Sequence, residues 1–221
     1  MPCPASVIGW AAEVAQFDPV QRSFFARPAL AVARDLIGCA FLFEGLGGRI
    51  VETEAYAPDD PSSHAFRGKT ARNAVMFGPP GHLYVYFVYG MHFCANLSCE
   101  EEGIGAAVLL RALEPLWGLE QMAARRGTQE PRLLCGGPAR LTQALGITRA
   151  ASGLPVTAAG AGPQAPPSAA EPAPVEVLGR PAGAAPPRIV TAPRIGVHDD
   201  GRLWRFLDAD SRFVSRPVPR R

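Results

Sequence analysis

From Pro28 to Ile37 the apolar residues Leu30, Ala33, Leu36 and Ile37 recur every three or four positions, the spacing of one helical face. Pro28 suits the first turn and Gly38 the stop, so a helix is expected there. The period then shortens. Cys39 to Glu44 reads as a strand, Gly45-Leu46-Gly47-Gly48 as a turn, and Arg49 to Tyr56 as the returning strand. Residues 57–69 form a loop, and Thr70 suits the cap of a short helix running through Met76. Beyond the turn Gly78-Pro79-Pro80-Gly81, strands at 83–88 and 92–98 are joined through Tyr89-Gly90-Met91, and Gly105 to Leu113 forms another, mostly buried. Helices follow from Trp117 to Arg126, stopped by Gly127, and from Gly137-Pro138 to Gly146. Short strands are expected at Val175 to Leu178, Arg194-Ile195-Gly196-Val197 and Trp204-Arg205-Phe206. Helices mixed with hairpin-connected strands, without an internal repeat, give an α+β domain over residues 20–215. An N-terminal extension (1–19) and a C-terminal tail (216–221) flank it.

Composition changes this picture in one place. The stretch from 157 to 187 is dominated by alanine, proline and glycine and carries too little apolar bulk to order itself fully. The chain as a whole is 48% hydrophobic and 19% charged, enough for a substantial core. Its net charge of +2 hides an uneven distribution: residues 1–63 hold 4 basic against 8 acidic side chains, residues 177–221 hold 9 against 4. Lys69 is the only lysine, so the positive charge is arginine. Arginine's planar fork grips phosphates, although a high-GC genome produces the same bias without that function.

Five cysteines form no CxxC pair, and the four histidines lack metal-site spacing. No metal or other cofactor is expected, and a reducing, cytoplasmic setting is. No apolar run approaches the roughly 20 residues of a membrane span.

Two segments concentrate the chemistry. In Val51-Glu52-Thr53-Glu54-Ala55-Tyr56, period-two alternation places Glu52, Glu54 and Tyr56 on one strand face, with Val51, Thr53 and Ala55 on the other. Two carboxylates so placed can supply a general base and an electrostatic partner, or merely a salt-bridged face. In Leu83-Tyr84-Val85-Tyr86-Phe87-Val88-Tyr89-Gly90, tyrosines line a strand that runs into a hairpin turn. Rings that stack on bases and wedge between base steps are how proteins extract a nucleotide from a duplex. Asn96, in an apolar run, is either a hydrogen-bond hub or a gatekeeper of pocket shape. Arg111, embedded in Val108-Leu109-Leu110-Arg111-Ala112-Leu113, needs an acidic partner, and the carboxylates above are the candidates. Cys135-Gly136-Gly137-Pro138 opens a helix whose free N–H groups suit a phosphate, with Arg140 nearby.

Together these residues resemble the alkyladenine (3-methyladenine) DNA glycosylase family of the non-helix-hairpin-helix type. The matching runs occur in family order: Ala33 to Gly38, Arg49 to Tyr56, Thr70 to Phe77, Gly81 to Met91, Val108 to Pro115 and Leu134 to Pro138, with a weaker match at 193–215. The resemblance implies a curved, mostly antiparallel β-sheet flanked by helices, with a protruding β-hairpin. It implies a monomeric enzyme acting on double-stranded DNA that contains damaged purines. Such an enzyme flips an alkylated or deaminated purine and hydrolyses its N-glycosidic bond, without a lyase step. Residue by residue, Glu54 takes the general-base position and Arg111 that of the arginine holding the water and the carboxylate. Tyr56, His64 and Tyr86 match the rings that sandwich the flipped base, and Asn96 the side chain that crowds the exocyclic amino group of guanine. Tyr89 matches the residue that fills the gap in the duplex. Arg72, Gly136, Gly137 and Arg140 fall where DNA-backbone contacts are expected.

Three competing readings follow from the residues themselves. A bifunctional glycosylase/lyase would need an amine, from Pro2 after methionine removal or from Lys69. A non-catalytic nucleic-acid-binding module would use the tyrosines for stacking alone. A carbohydrate hydrolase built on Glu52 and Glu54 conflicts with their common strand face, because its two carboxyls must flank the bond.

Overall fold

The computed structural model describes residues 17–88, 90–157, 175–198 and 201–218. Residues 1–16 of the N-terminal extension, 158–174 of the alanine/proline/glycine stretch, and the end of the tail lie outside the described residues. In chain order the elements are α1 (Arg22–Phe25), α2 (Ala29–Asp35), β1 (Ala40–Phe43), β2 (Leu46–Tyr56), a 3-10 turn (Ala74–Phe77), β3 (Leu83–Val88), β4 (His92–Ser98) and β5 (Ala107–Trp117). There follow α3 (Leu119–Arg126), α4 (Pro131–Leu134), α5 (Pro138–Leu145), a second 3-10 turn (Arg149–Ala151), β6 (Val156–Thr157), β7 (Val175–Leu178), β8 (Ile189–Ala192) and β9 (Arg205–Asp208).

The strands form one curved, nine-stranded sheet in the order β3-β4-β5-β2-β1-β7-β6, with β9 also on β2 and β8 on β9. Every pairing is antiparallel except β6 with β7. The fold is therefore the α+β domain expected, and β3 and β4 make the hairpin. One edge of β2 is shared by two partners in succession, β1 over its first half and β9 over Glu52 to Glu54. One face of the sheet packs against α2 and α5, burying Val32, Leu36, Phe41, Ile50, Leu97, Leu110, Leu113, Leu141 and Leu145. Each such side chain contributes about 1.5–3 kcal/mol on leaving water. Helix ends fall where glycine was expected to stop them: Gly127 and Gly146 both take left-handed φ, at 65° and 76°.

Four sequence expectations need correction. Gly47 and Gly48 belong to β2 and not to a turn: a Cβ on either would sit 2.0 Å from Phe41 O or 1.9 Å from Glu114 O. Glycine here permits close strand approach rather than a bend. Residues 194–197 are not a strand, because Pro193 lacks a ladder donor and Gly196 takes φ 80°. The strands of that region are β8 and β9. A short helix at Pro131–Leu134, with proline in its first turn and the Glu130 side chain as cap, went unseen. The helix after Thr70 is a 3-10 turn starting at Ala74, and Thr70 instead exchanges hydrogen bonds with Asn73.

The irregularity that matters most lies between β2 and β5. Ile50 pairs with Leu113 and Glu52 with Ala112, which leaves Val51 extra; Thr53 then pairs with Leu110, which leaves Arg111 extra. Two bulges thus cancel, and the register beyond them is unchanged. Val51 consequently leaves the face of Thr53 and Ala55 assigned to it by simple alternation. It packs with Ala112 and Phe213 in a small separate cluster, while Ile50 and Ala55 join the main core. Bulges re-aim side chains. Here they point Glu52 and Arg111 to the side opposite the core.

Candidate active site

On that side of the sheet lies a cavity of about 420 Å³. Its wall takes Tyr56 from β2, Tyr84 and Tyr86 from β3, Cys94 and Asn96 from β4, and Leu109 and Arg111 from β5. Loop residues Ser62 and His64, Pro138 and Ala139 at the start of α5, and Ile195 to Val197 also line it.

Glu54 lies behind this wall, with 0% exposure. Arg111 Nη1 stands 3.2 Å from its Oε1, the Ile195 amide donates to the same oxygen at 2.8 Å, and the Tyr56 hydroxyl donates to Oε2 at 2.9 Å. Two hydrogen bonds and one ion pair thus engage it, and all three partners line the cavity. Burial and the Glu54 charge both push the Tyr56 hydroxyl far above its ordinary pKa, so it stays a neutral donor.

Glu52, two residues earlier and equally buried, is held differently. Its Oε1 lies 3.3 Å from Nε of both Arg111 and Arg205 and accepts the Ser215 hydroxyl at 2.9 Å, while Oε2 accepts the Ser215 amide. Arg111 thus pairs with both candidate carboxylates. Burial lowers the Arg205 pKa, opposed by Glu52.

The aromatic residues form one connected group. His64 meets Tyr86 edge to face at 4.5 Å between ring centroids, and its Nδ1 is 3.0 Å from the Tyr84 hydroxyl. Tyr84 and Tyr86 lie 5.6 Å apart. His64 reaches solvent at the cavity mouth, yet desolvation of its inner side and the nearby Arg72 lower its pKa. Burial raises that of Tyr86, with a further push from Cys94. Asn96 is buried in the wall, donates from Nδ2 to Tyr84 O at 3.0 Å and forms part of the cavity surface.

The residues expected at the DNA backbone divide. Arg72 is exposed but sits at the cavity, its guanidinium 5.9 Å from the Tyr86 ring centre. Arg140 is exposed on α5 and reaches Gly136 O at 3.4 Å. Gly137 caps α5 at φ 133°, and a Cβ on Gly136 would sit 2.5 Å from Arg132 O, so each needs glycine. Tyr89 lies outside the described residues. Sequence reasoning missed Ile195, whose backbone amide has no side-chain signature, and Ser215, which lies 163 positions from Glu52. It also left Tyr84 and Cys94 without a role. Among the described residues no group of His, Cys, Asp or Glu could hold a metal ion, and no helix is long and apolar enough to cross a membrane.

Comparison with known proteins gives the family. Residues 23–212 match the family model of methylpurine-DNA glycosylase. A protein of Rhodopseudomonas palustris strain CGA009 is 50% identical over 200 residues, covering 90% of this chain and 89% of its own. One of Nitrosospira multiformis is 48% identical over 194 residues, covering 87% and 92%, and one of Agrobacterium fabrum 50% over 202, covering 90% and 94%. All three bear the name "Putative 3-methyladenine DNA glycosylase". The chain belongs to the methylpurine-DNA glycosylase family, and with it to the enzymes that hydrolyse N-glycosidic bonds in DNA.

Proposed function

We propose that the protein removes 3-methyladenine and related damaged purines from duplex DNA, with Glu54 as the base that activates the attacking water and no lyase step. The observation that carries this reading is the Glu54 carboxylate, fully buried and held by two hydrogen bonds and one ion pair whose three partners all line the aromatic cavity. A purine alkylated at N3 or N7 is cationic and already a good leaving group. The enzyme then has to supply a water, a base and negative charge beside a cationic sugar, and one ionised carboxylate supplies the last two. Arg111 holds that carboxylate and orients the water.

His64 and Tyr86, in contact with each other, act as one wall of the base slot, and Tyr56 as the facing one. Asn96 sets the shape of the slot against the exocyclic amino group of guanine. Tyr89 fills the gap left in the duplex. Arg140 and the Gly136-Gly137 turn hold the backbone, with Arg72 at the slot's edge. The enzyme acts as a monomer in the cytoplasm.

Single-turnover release of bases from duplexes carrying 3-methyladenine, 7-methylguanine, hypoxanthine or etheno-adenine tests the reading. Glu54→Gln should abolish release while still binding damaged DNA; normal turnover by that variant would sink the proposal. Borohydride reduction during turnover should leave no covalent protein–DNA adduct, and an adduct would replace hydrolysis with a lyase mechanism through Pro2 or Lys69.

A further inference from the structure

The pairing of β9 with β2 ends at Glu54, opposite Arg205. The next residue, Ala55, still has both backbone groups satisfied on that edge. Its amide donates to Trp204 O at 2.9 Å, and its carbonyl accepts from Arg194 Nη1 at 2.9 Å. Arg194 thus does for Ala55 what the missing strand would have done. Ala55 separates Glu54 from Tyr56, so the hydrogen bonds that fix it fix the direction of both neighbours.

The same guanidinium reaches three further parts of the site. It lies 4.7 Å from the centre of the Tyr56 ring and 5.2 Å from that of Trp204. Its two terminal nitrogens grip both oxygens of Asp60, Nη2 to Oδ1 at 2.9 Å and Nη1 to Oδ2. Asp60 Oδ1 also accepts the Ser62 amide at 3.0 Å, closing the turn two residues before His64. On its own chain, the residue after Arg194 donates the amide that holds Glu54 Oε1. The pair is sealed from solvent, with side-chain exposures of 1% and 0%.

We propose that Arg194, gripped by Asp60, is a positioning residue that sets Glu54, Tyr56 and the His64 loop at working distance from one another. The assignment rests on the glycosylase reading of the cavity. A buried ion pair adds little stability over a well-packed apolar pair, so stability alone gives no reason for charge at this place. A planar fork does give one: it fixes direction at Asp60, at the Ala55 carbonyl and over the Tyr56 ring together. The lysine ammonium has no such fork. Misplacement of reacting groups by about 1 Å costs on the order of 10²-fold in rate.

The test uses Arg194→Lys and the doubly uncharged Asp60→Leu/Arg194→Met, which removes both members of the sealed pair; Arg202, 3.9 Å from Asp60, is 29% exposed and keeps contact with water. Amide hydrogen exchange at Ile195, followed by NMR, should speed up at least tenfold in Arg194→Lys while exchange at Leu110 is unchanged. Single-turnover base release should fall between about 10-fold and 100-fold in both variants, with affinity for undamaged duplex unaltered. The double variant should melt near the wild-type temperature and remain slow. Unchanged exchange at Ile195, or wild-type release by the folded double variant, would overturn the proposal. If the wild-type protein releases no damaged base, the glycosylase reading fails by that result alone, and exchange at Ile195 still decides whether Arg194 positions the segment.

Discussion

Glu52 and Glu54 sit two residues apart on β2, both fully buried and both paired with Arg111, yet their surroundings are opposite in kind. Around Glu52 are two guanidiniums and both donors of Ser215, and the C-terminal segment closes over it. Around Glu54 are one guanidinium, one amide and one phenol, and each of those three belongs to a residue that lines the cavity. Identity and strand position do not separate a structural carboxylate from a reactive one. What separates them is where their partners lie: all those of Glu54 line the cavity, and of those of Glu52 only Arg111 does.

The comparison breaks most directly at Glu54. Glu54→Gln should lower single-turnover base release on the order of 10²–10⁴-fold, with little change in melting temperature because Arg111 keeps Glu52. Arg111→Met should fail in both respects, since it leaves Glu54 without its ion-pair partner and Glu52 with Arg205 alone. A loss of about 3–5 kcal/mol in chemical denaturation should accompany the loss of release. Glu52→Gln should reverse the Glu54 pattern, costing about 3 kcal/mol of stability while release per folded molecule stays within about tenfold of wild type. If the rate instead drops as far as in Glu54→Gln, the division of labour is wrong. Tyr56→Phe removes a hydrogen bond to a charged acceptor, about 1.5–3 kcal/mol, and should slow release without changing affinity for undamaged duplex.

The smallest effect concerns the outer wall. His64 has a lowered pKa in the folded protein, so below its ordinary value of 6.5 the unfolded chain binds a proton before the folded chain does. Stability should therefore fall as pH drops from 6.5 through the folded value. A neutral His64 also opposes no cationic base. Arg72→Gln should move the His64 NMR titration midpoint back toward 6.5, and an unmoved midpoint would remove Arg72 as a cause.

Much of the frame was legible because it obeys one period at a time. The β3/β4 hairpin, α3 and α5 with their terminal glycines, and β7 all lie where alternation or helical spacing puts them. The arrangement of the cavity was legible wherever a side chain makes the contact, as where Arg111 pairs with Glu54 and Asn96 lies in the wall. It was illegible where the backbone does. Ile195 acts through its amide, and residues 194–197, which read as a strand, serve as an irregular support. Alternation also misplaced Val51, because paired bulges leave no mark in composition and are visible only when both strands are aligned.

One property of the buried cluster reaches beyond the cavity. Glu52, Glu54, Arg111 and Arg205 hold two negative and two positive groups within ion-pair distance, so their formal charges cancel. At a Debye length, about 8 Å in physiological salt, such a quartet has almost no field. On the proposed reading, the attraction that draws a polyanionic duplex to the protein, and its dependence on ionic strength, would come from exposed arginines such as Arg72 and Arg140. That reading would lodge affinity for DNA and reactivity toward the bond in largely separate sets of charges, with Arg72, beside His64, the point where the two meet.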